Sequence, residues 1–135
     1  MPEDALHSAE MGSIIVVIAT DAPLSGLSLR QLAKRAAIGI GRGGTPGGNN
    51  SGDIFLAFST ANPGPMPQFA AAVLTRAELN GEQMDPVYLA AVESIEEAVV
   101  NAMVAGEDVP TFKPAGHTCR AIDPDRLRAL FQPAA

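Results

Sequence analysis

Residues 13–20, SIIVVIAT, constrain the fold more than any other stretch of the chain. Isoleucine and valine branch at Cβ, which stiffens the side chain and favours a pleated, extended backbone. An unbroken apolar run, as opposed to an alternating one, is the pattern of a strand buried on both faces in the middle of a sheet. Asp21, Ala22 and Pro23 bound it on one side. On the other side stands Gly12-Ser13, a hydroxyl at the mouth of a buried strand. Residues 1–12, MPEDALHSAEMG, show neither helical nor strand periodicity and read as a leader or the remnant of an upstream portion.

The pattern then alternates between helices and strands. Over 28–41, Leu29, Leu32, Ala33, Ala36, Ala37 and Ile40 recur at helical spacing, with Arg30, Gln31, Lys34 and Arg35 turned away. Ser28 and Gln31 form a capping-box pattern at its start. A glycine-rich loop, GRGGTPGGNN, leads to a second strand over 53–60, DIFLAFST, read as buried like the first. Residues 61–67 read as a turn region, and the alanine-rich stretch 68–79 as a further strand. Asp85-Pro86 marks the start of a helix running to about Ala105, with Asp85 as cap, Gly106 as stop, and one apolar face from Tyr88 through Ala91, Val92, Ile95, Ala98, Val99 and Ala102 to Met103. Glu93, Glu96 and Glu97 read as a solvated face. A short helix over 124–131, capped by Asp123, closes the chain.

Composition narrows the function classes. With 135 residues, 47% of them hydrophobic, the chain supports one domain with a real core. A net charge of -6 repels a phosphate backbone, so nucleic acid is excluded as a partner. The lone Cys119 forms no internal disulfide and no thiolate metal cluster. The run Ile14 to Ala19 falls far short of the ~20 residues that cross a bilayer, so no membrane partner is expected. The first residues lack the basic start and apolar core of a secretory signal, which gives a cytoplasmic expectation unless an upstream region carries a signal.

Few residues offer chemistry. On spacing alone, Ser13 reads as an ordinary strand-opening serine. In the alternative, its hydroxyl attacks the Gly12 carbonyl, cuts the Gly12-Ser13 bond and frees an α-amine, whose pKa of about 7.7–8.0 suits it to take the hydroxyl proton in later turnovers. That route needs no histidine, which matters because only His7 and His117 are present. His117, beside Cys119, reads as structural. The cluster GGNNSGD over 47–53 is open to three readings: a mobile loop, a phosphate cradle lacking the lysine of a P-loop, or a ligand-binding loop whose glycines let backbone amides approach closely while Asn49, Asn50, Ser51 and Asp53 supply donors and acceptors.

The blocks GSIIVVIATDAPL, RQLAKRAAIGIGR and GGNNSGDIFLAFSTANPG, long and in this order, resemble the L-aminopeptidase D-Ala-esterase/amidase and β-peptidyl aminopeptidase family over most of the chain from Gly12 onward. The resemblance implies an α/β fold, part of a four-layer α/β/β/α sandwich of N-terminal-nucleophile type, with 13–135 as the catalytic subunit and 1–12 as a leader. It implies Ser13 as the nucleophile, freed by self-cleavage at Gly12-Ser13. Ser51 would orient the nucleophile or its amine, and Asp53, where some relatives carry Glu, would hold the ammonium. The implied activity is a serine aminopeptidase or amidase acting on small peptides, amides or esters, without metal or cofactor, in a homo-oligomer. A longer N-terminal portion, expected to become a separate subunit and absent here, would supply oxyanion groups. The alternative is a truncated, catalytically silent fragment or a binding and assembly subunit.

Overall fold

The computed structural model describes residues 12–65, 68 and 71–131; the leader with His7 lies outside them, apart from Gly12. The chain divides into two units, Met1–Glu96 and Glu97–Ala135.

In the first unit the two apolar runs form strands β1 (Ile15–Thr20) and β2 (Ile54–Ser59), paired in parallel with Ile15 opposite Ile54 and Thr20 opposite Ser59. Parallel neighbours require a crossover, and it contains helices α1 (Gly26–Ala33) and α2 (Ala36–Arg42). The single helix expected over 28–41 is therefore two, broken at Lys34 and Arg35. Its start also differs. Ser25, not Ser28, is the cap: its hydroxyl accepts from the Ser28 amide at 3.3 Å, and the Gln31 side chain accepts from the Tyr88 hydroxyl at 2.8 Å. A serine three residues before another gives both the cap pattern, and the earlier one wins because Gly26 and Leu27 already wind into the first turn.

The strands also differ from expectation in burial. Ile18 points inward and is 8% exposed, packing with Leu24, Leu32, Ala36, Met84, Ala91 and Ile95. The alternate residues Ile15, Val17, Ile54, Leu56 and Phe58 form an open apolar face, with Ile15 70% exposed. No element among the described residues covers it, so the strands are buried on one face and not on both.

After β2 the expected strand over 68–79 is absent among the described residues there, which are irregular. Alanines offer a sheet little side chain to pack, and the segment is tied down instead by the Asn62 side chain, which bonds Ala77 N–H and C=O at 3.0 and 3.1 Å, and by Leu79 N–H to Pro23 O at 2.6 Å. A 3₁₀ turn, Gly81–Gln83, capped by Asn80, runs into helix α3 (Met84–Val104). Asp85 thus lies inside the first turn and is not the cap. Helix α3 buries Met84, Ala91, Val92 and Ile95; from Glu97 on its residues are exposed or half-buried, including the Ala98, Val99, Ala102 and Met103 expected in its apolar face. Gly39 of α2 lies against this helix, and Arg35 stacks 4.0 Å from the Tyr88 ring centre.

The second unit holds a short antiparallel pair that the sequence did not announce, β3 (Val109–Pro110) with β4 (Thr118–Cys119), and helix α4 (Pro124–Leu130). Asp123 caps α4 as expected, accepting from the amides of Asp125 and Arg126 at 3.0 and 3.1 Å. No helix among the described residues is long and apolar enough to cross a membrane.

Candidate active site

The parallel register brings the two candidate motifs together. Because Ile15 faces Ile54, extending the ladder backward sets Ile14 opposite Asp53 and Ser13 opposite Gly52. Both strands therefore deliver their polar starts to one end of the sheet. The link that makes this possible is a loop whose Gly44 and Gly47 take φ of 100° and 68°, in the left-handed region glycine tolerates. Ser51 N–H then closes a turn onto Gly48 O at 2.9 Å.

Three hydrogen bonds define the cluster. Gly52 N–H donates to Ser13 Oγ at 2.9 Å. The Ser51 hydroxyl donates to Asp53 Oδ1 at 2.6 Å, and Ile14 N–H donates to the same oxygen at 3.3 Å. Asp53 is thereby fixed one peptide link from the Ser13 nitrogen, and its Oδ2 takes no bond among the described residues. Ser51 directs its hydroxyl to Asp53 and not to Ser13. Ser13, Gly52 and Asp53 are exposed and Ser51 is half-buried. Strand alternation puts Ser13 on the same face as Ile15 and Val17, the open one.

Gly52 escaped the reading of the motif, which dwelt on its neighbours' side chains. A Cβ at this position would sit 3.3 Å from Ser13 Oγ, closer than ordinary van der Waals contact. The signal that could have found it is the matched distance of both motifs from their strand starts, once the strands are taken as parallel neighbours. Asn49 and Asn50 are exposed in the loop. His117 and Cys119 belong to the second unit: the His117 carbonyl accepts from Thr111 N–H at 3.0 Å, and Cys119 is an exposed free thiol on β4.

The comparisons agree on one family. The signature of peptidase family S58 matches residues 2–118. The chain is 40% identical over 121 residues to the β-peptidyl aminopeptidase BapA of Sphingosinicella microcystinivorans, covering 90% of this chain and 30% of that protein. Among solved structures it is similar to the L-aminopeptidase D-Ala-esterase/amidase of Ochrobactrum anthropi, described as a prototype for the serine aminopeptidases and a variant of the N-terminal-nucleophile hydrolase fold. There the identity is 59% and the TM-score 0.81, over 87% of this chain and 32% of that one. A β-aminopeptidase from a Burkholderia species superposes with a TM-score of 0.78 at 36% identity, over 96% of this chain and 38% of that one. The chain thus spans about a third of the length of these relatives.

Proposed function

The chain belongs to peptidase family S58, with an α/β fold of the N-terminal-nucleophile hydrolase type, and from that premise we propose that it is the nucleophile-bearing part of a self-processing serine aminopeptidase. The observation that carries the reading is the Ser13 hydroxyl held by Gly52 at the mouth of β1, with the Asp53 carboxylate beside it.

In the precursor, Ser13 Oγ attacks the Gly12 carbonyl carbon. The C–N bond breaks, the hydroxyl proton ends on the departing nitrogen, and an ester joins Gly12 to Ser13 Oγ. Water opens that ester, releasing residues 1–12 with a Gly12 carboxylate and leaving Ser13 with a free amine and hydroxyl. In each later turnover the neutral amine takes the hydroxyl proton as Oγ attacks the carbonyl of a small peptide, amide or ester, and water clears the acyl-enzyme. Asp53, immobilised by Ser51 and Ile14, steadies the ammonium that forms and raises its proton affinity. No step calls on a metal or cofactor. Residues 13–135 form the catalytic subunit.

The open face beside Ser13 supports a second element of the proposal. A complementary N-terminal portion, like the remaining two thirds of the relatives, would cover Ile15, Val17, Ile54, Leu56 and Phe58, wall the substrate pocket and complete the four-layer sandwich, in an assembly of several such units. Without that cover the site faces water, where developing charge gains far less from fixed dipoles. The chain by itself is then catalytically silent.

Intact mass over time tests both elements, with the chain alone and co-expressed with the N-terminal portion of the Ochrobactrum relative, beside Ser13→Ala and with an aminoacyl p-nitroanilide as substrate. Loss of residues 1–12 together with amide hydrolysis, the hydrolysis only in the co-expressed sample and both abolished in Ser13→Ala, is the expected result. A chain uncut under both conditions overturns the Ser13 reading.

A further inference from the structure

The ladder between β1 and β2 ends in an irregular way. Ile54 N–H donates to Ile14 O at 2.9 Å and Thr60 N–H to Thr20 O at 3.0 Å. Each rung links a residue on the β2 side to the residue just before its register partner on the β1 side. Carried one rung further, the rule pairs Gly52 N–H with Gly12 O. Gly52 N–H donates instead to Ser13 Oγ. The rung is thus diverted from the carbonyl of the Gly12-Ser13 bond to the hydroxyl beside it.

Resting on the reading of Ser13 as a self-cleaving nucleophile, we propose that the Gly52 amide is the oxyanion donor of the self-cleavage step. Before attack it orients the hydroxyl. When Oγ bonds to the Gly12 carbonyl carbon, the hydroxyl oxygen and the carbonyl oxygen become substituents of one tetrahedral carbon. A donor on the first is then within reach of the second. The negative charge developing on Gly12 O draws the amide back to its ladder position, where the backbone geometry of β2 already aims it. As the intermediate collapses, the C–N bond breaks, the charge returns to a carbonyl, and the amide is left beside the ester. This donor is therefore built into the chain itself, at the entrance to β2.

The position also favours glycine on steric grounds. A Cβ would stand 3.3 Å from Ser13 Oγ, so the hydroxyl would have to shift by a few tenths of an ångström to accommodate a side chain.

Replacing Gly52 by glycolic acid through cell-free translation turns its amide into an ester and deletes the N–H while keeping the backbone shape. Self-cleavage, followed by intact mass under the conditions in which the parent chain cuts itself, should slow about 100-fold, the usual effect of losing one oxyanion donor. Gly52→Ala should slow it about tenfold, because it displaces the hydroxyl without removing the donor. Gly26→Ala, with nothing within 4 Å of the added methyl, serves as control and should cut at the parent rate. Hydroxylamine added during the reaction traps the ester at Gly12 as the hydroxamate of residues 1–12, distinct in mass from the product of cutting the backbone ester at position 52, and less of that hydroxamate should form in the glycolate protein. A glycolate protein that cuts at the parent rate, or one that accumulates ester because only its hydrolysis is slowed, overturns the proposal. A parent chain that never cuts refutes the Ser13 reading, and this inference with it.

Discussion

Adding one methyl group to helix α2 should have opposite effects at two positions two residues apart. At Gly39 an added Cβ would lie 2.8 Å from Ile95 Cβ, 2.9 Å from Ile95 Cγ2 and 2.9 Å from the Val92 carbonyl oxygen. Carbon atoms in contact normally stand about 3.5–4.0 Å apart. A rotamer change could withdraw Cγ2, but Ile95 Cβ and the Val92 carbonyl move only with the α3 backbone. Helix α2 must therefore retreat by roughly 0.7 Å, taking Ala36 and Ile40 out of register with the core. Overpacking of this kind costs about 1–3 kcal/mol, against a helix-propensity gain of about 0.8–1.0 kcal/mol for alanine over glycine. With Ile95 Cβ and a backbone carbonyl both in the way, Gly39→Ala should be destabilising, by up to about 2 kcal/mol. At Gly41 the added methyl meets nothing within 4 Å, so Gly41→Ala should be stabilising by up to about 1 kcal/mol. Tyr88, the single tyrosine of a chain without tryptophan, lies on α3 within the first unit and reports its unfolding by fluorescence in urea. A Gly39→Ala protein as stable as the parent, or a pair of variants shifting the same way, would refute the packing argument.

At the site, Asp53→Asn keeps an oxygen for the Ile14 amide but loses the charge that, on the proposed reading, would steady the ammonium. In the chain co-expressed with the relative's N-terminal portion it should lower amide turnover about 100-fold with Ser13 still in place, whereas Asp53→Glu should retain part of the activity, as read from kcat on an aminoacyl p-nitroanilide. In the second unit, the Ala121 amide first, and then the Arg120 side chain, hold the Asp108 carboxyl below its usual range. A lowered folded value means the stabilisation is complete above the unfolded value of about 3.9 and is lost as pH falls through the folded one. Hydrogen exchange at Ala121 should accelerate over that acid window relative to neighbouring amides, and Asp108→Asn should remove the difference. On the open sheet face, Leu56→Lys should change the stability of the isolated chain by no more than about 0.5 kcal/mol. In co-purification it should abolish capture of the relative's N-terminal portion, and retained capture would show that another surface does the docking.

The parts of the fold legible in the sequence were those specified locally. SIIVVIAT and DIFLAFST become β1 and β2 because short runs rich in β-branched and aromatic residues, bounded by turn residues, favour an extended backbone, and Asp123 caps α4 because its carboxylate needs only the nearby amides of Asp125 and Arg126. The errors arose where a distant partner decides. Gln31 fits a capping box equally well on paper, but Tyr88, far along the chain, takes its side chain. The apolar content of β1 signals two covered faces, whereas among the described residues only the Ile18 face is covered. Residues 68–79 carry no periodicity strong enough to define an element, and the described residues among them are tied at Ala77 by the Asn62 side chain and at Leu79 by the Pro23 carbonyl. The site was legible as two motifs, and family likeness connected them. Composition could not place Gly52 against Ser13, because that contact exists only in the parallel register.

That register also separates what must stay fixed in this chain from what is free to vary in length. Ser13, Gly52 and Asp53 gather at the starting ends of β1 and β2, while the segment after Ser59, with its prolines and its Asn62–Ala77 tie, leaves from the finishing ends. Insertions or deletions after residue 62 would change the far edge of the sheet without shifting a single rung near Gly12. One residue gained or lost inside β2 would turn Gly52 away from Ser13 and present a different amide. Among homologous sequences, gaps should therefore collect between residues 63 and 76, and the spacing from Ser51 to Ser59 should be invariant.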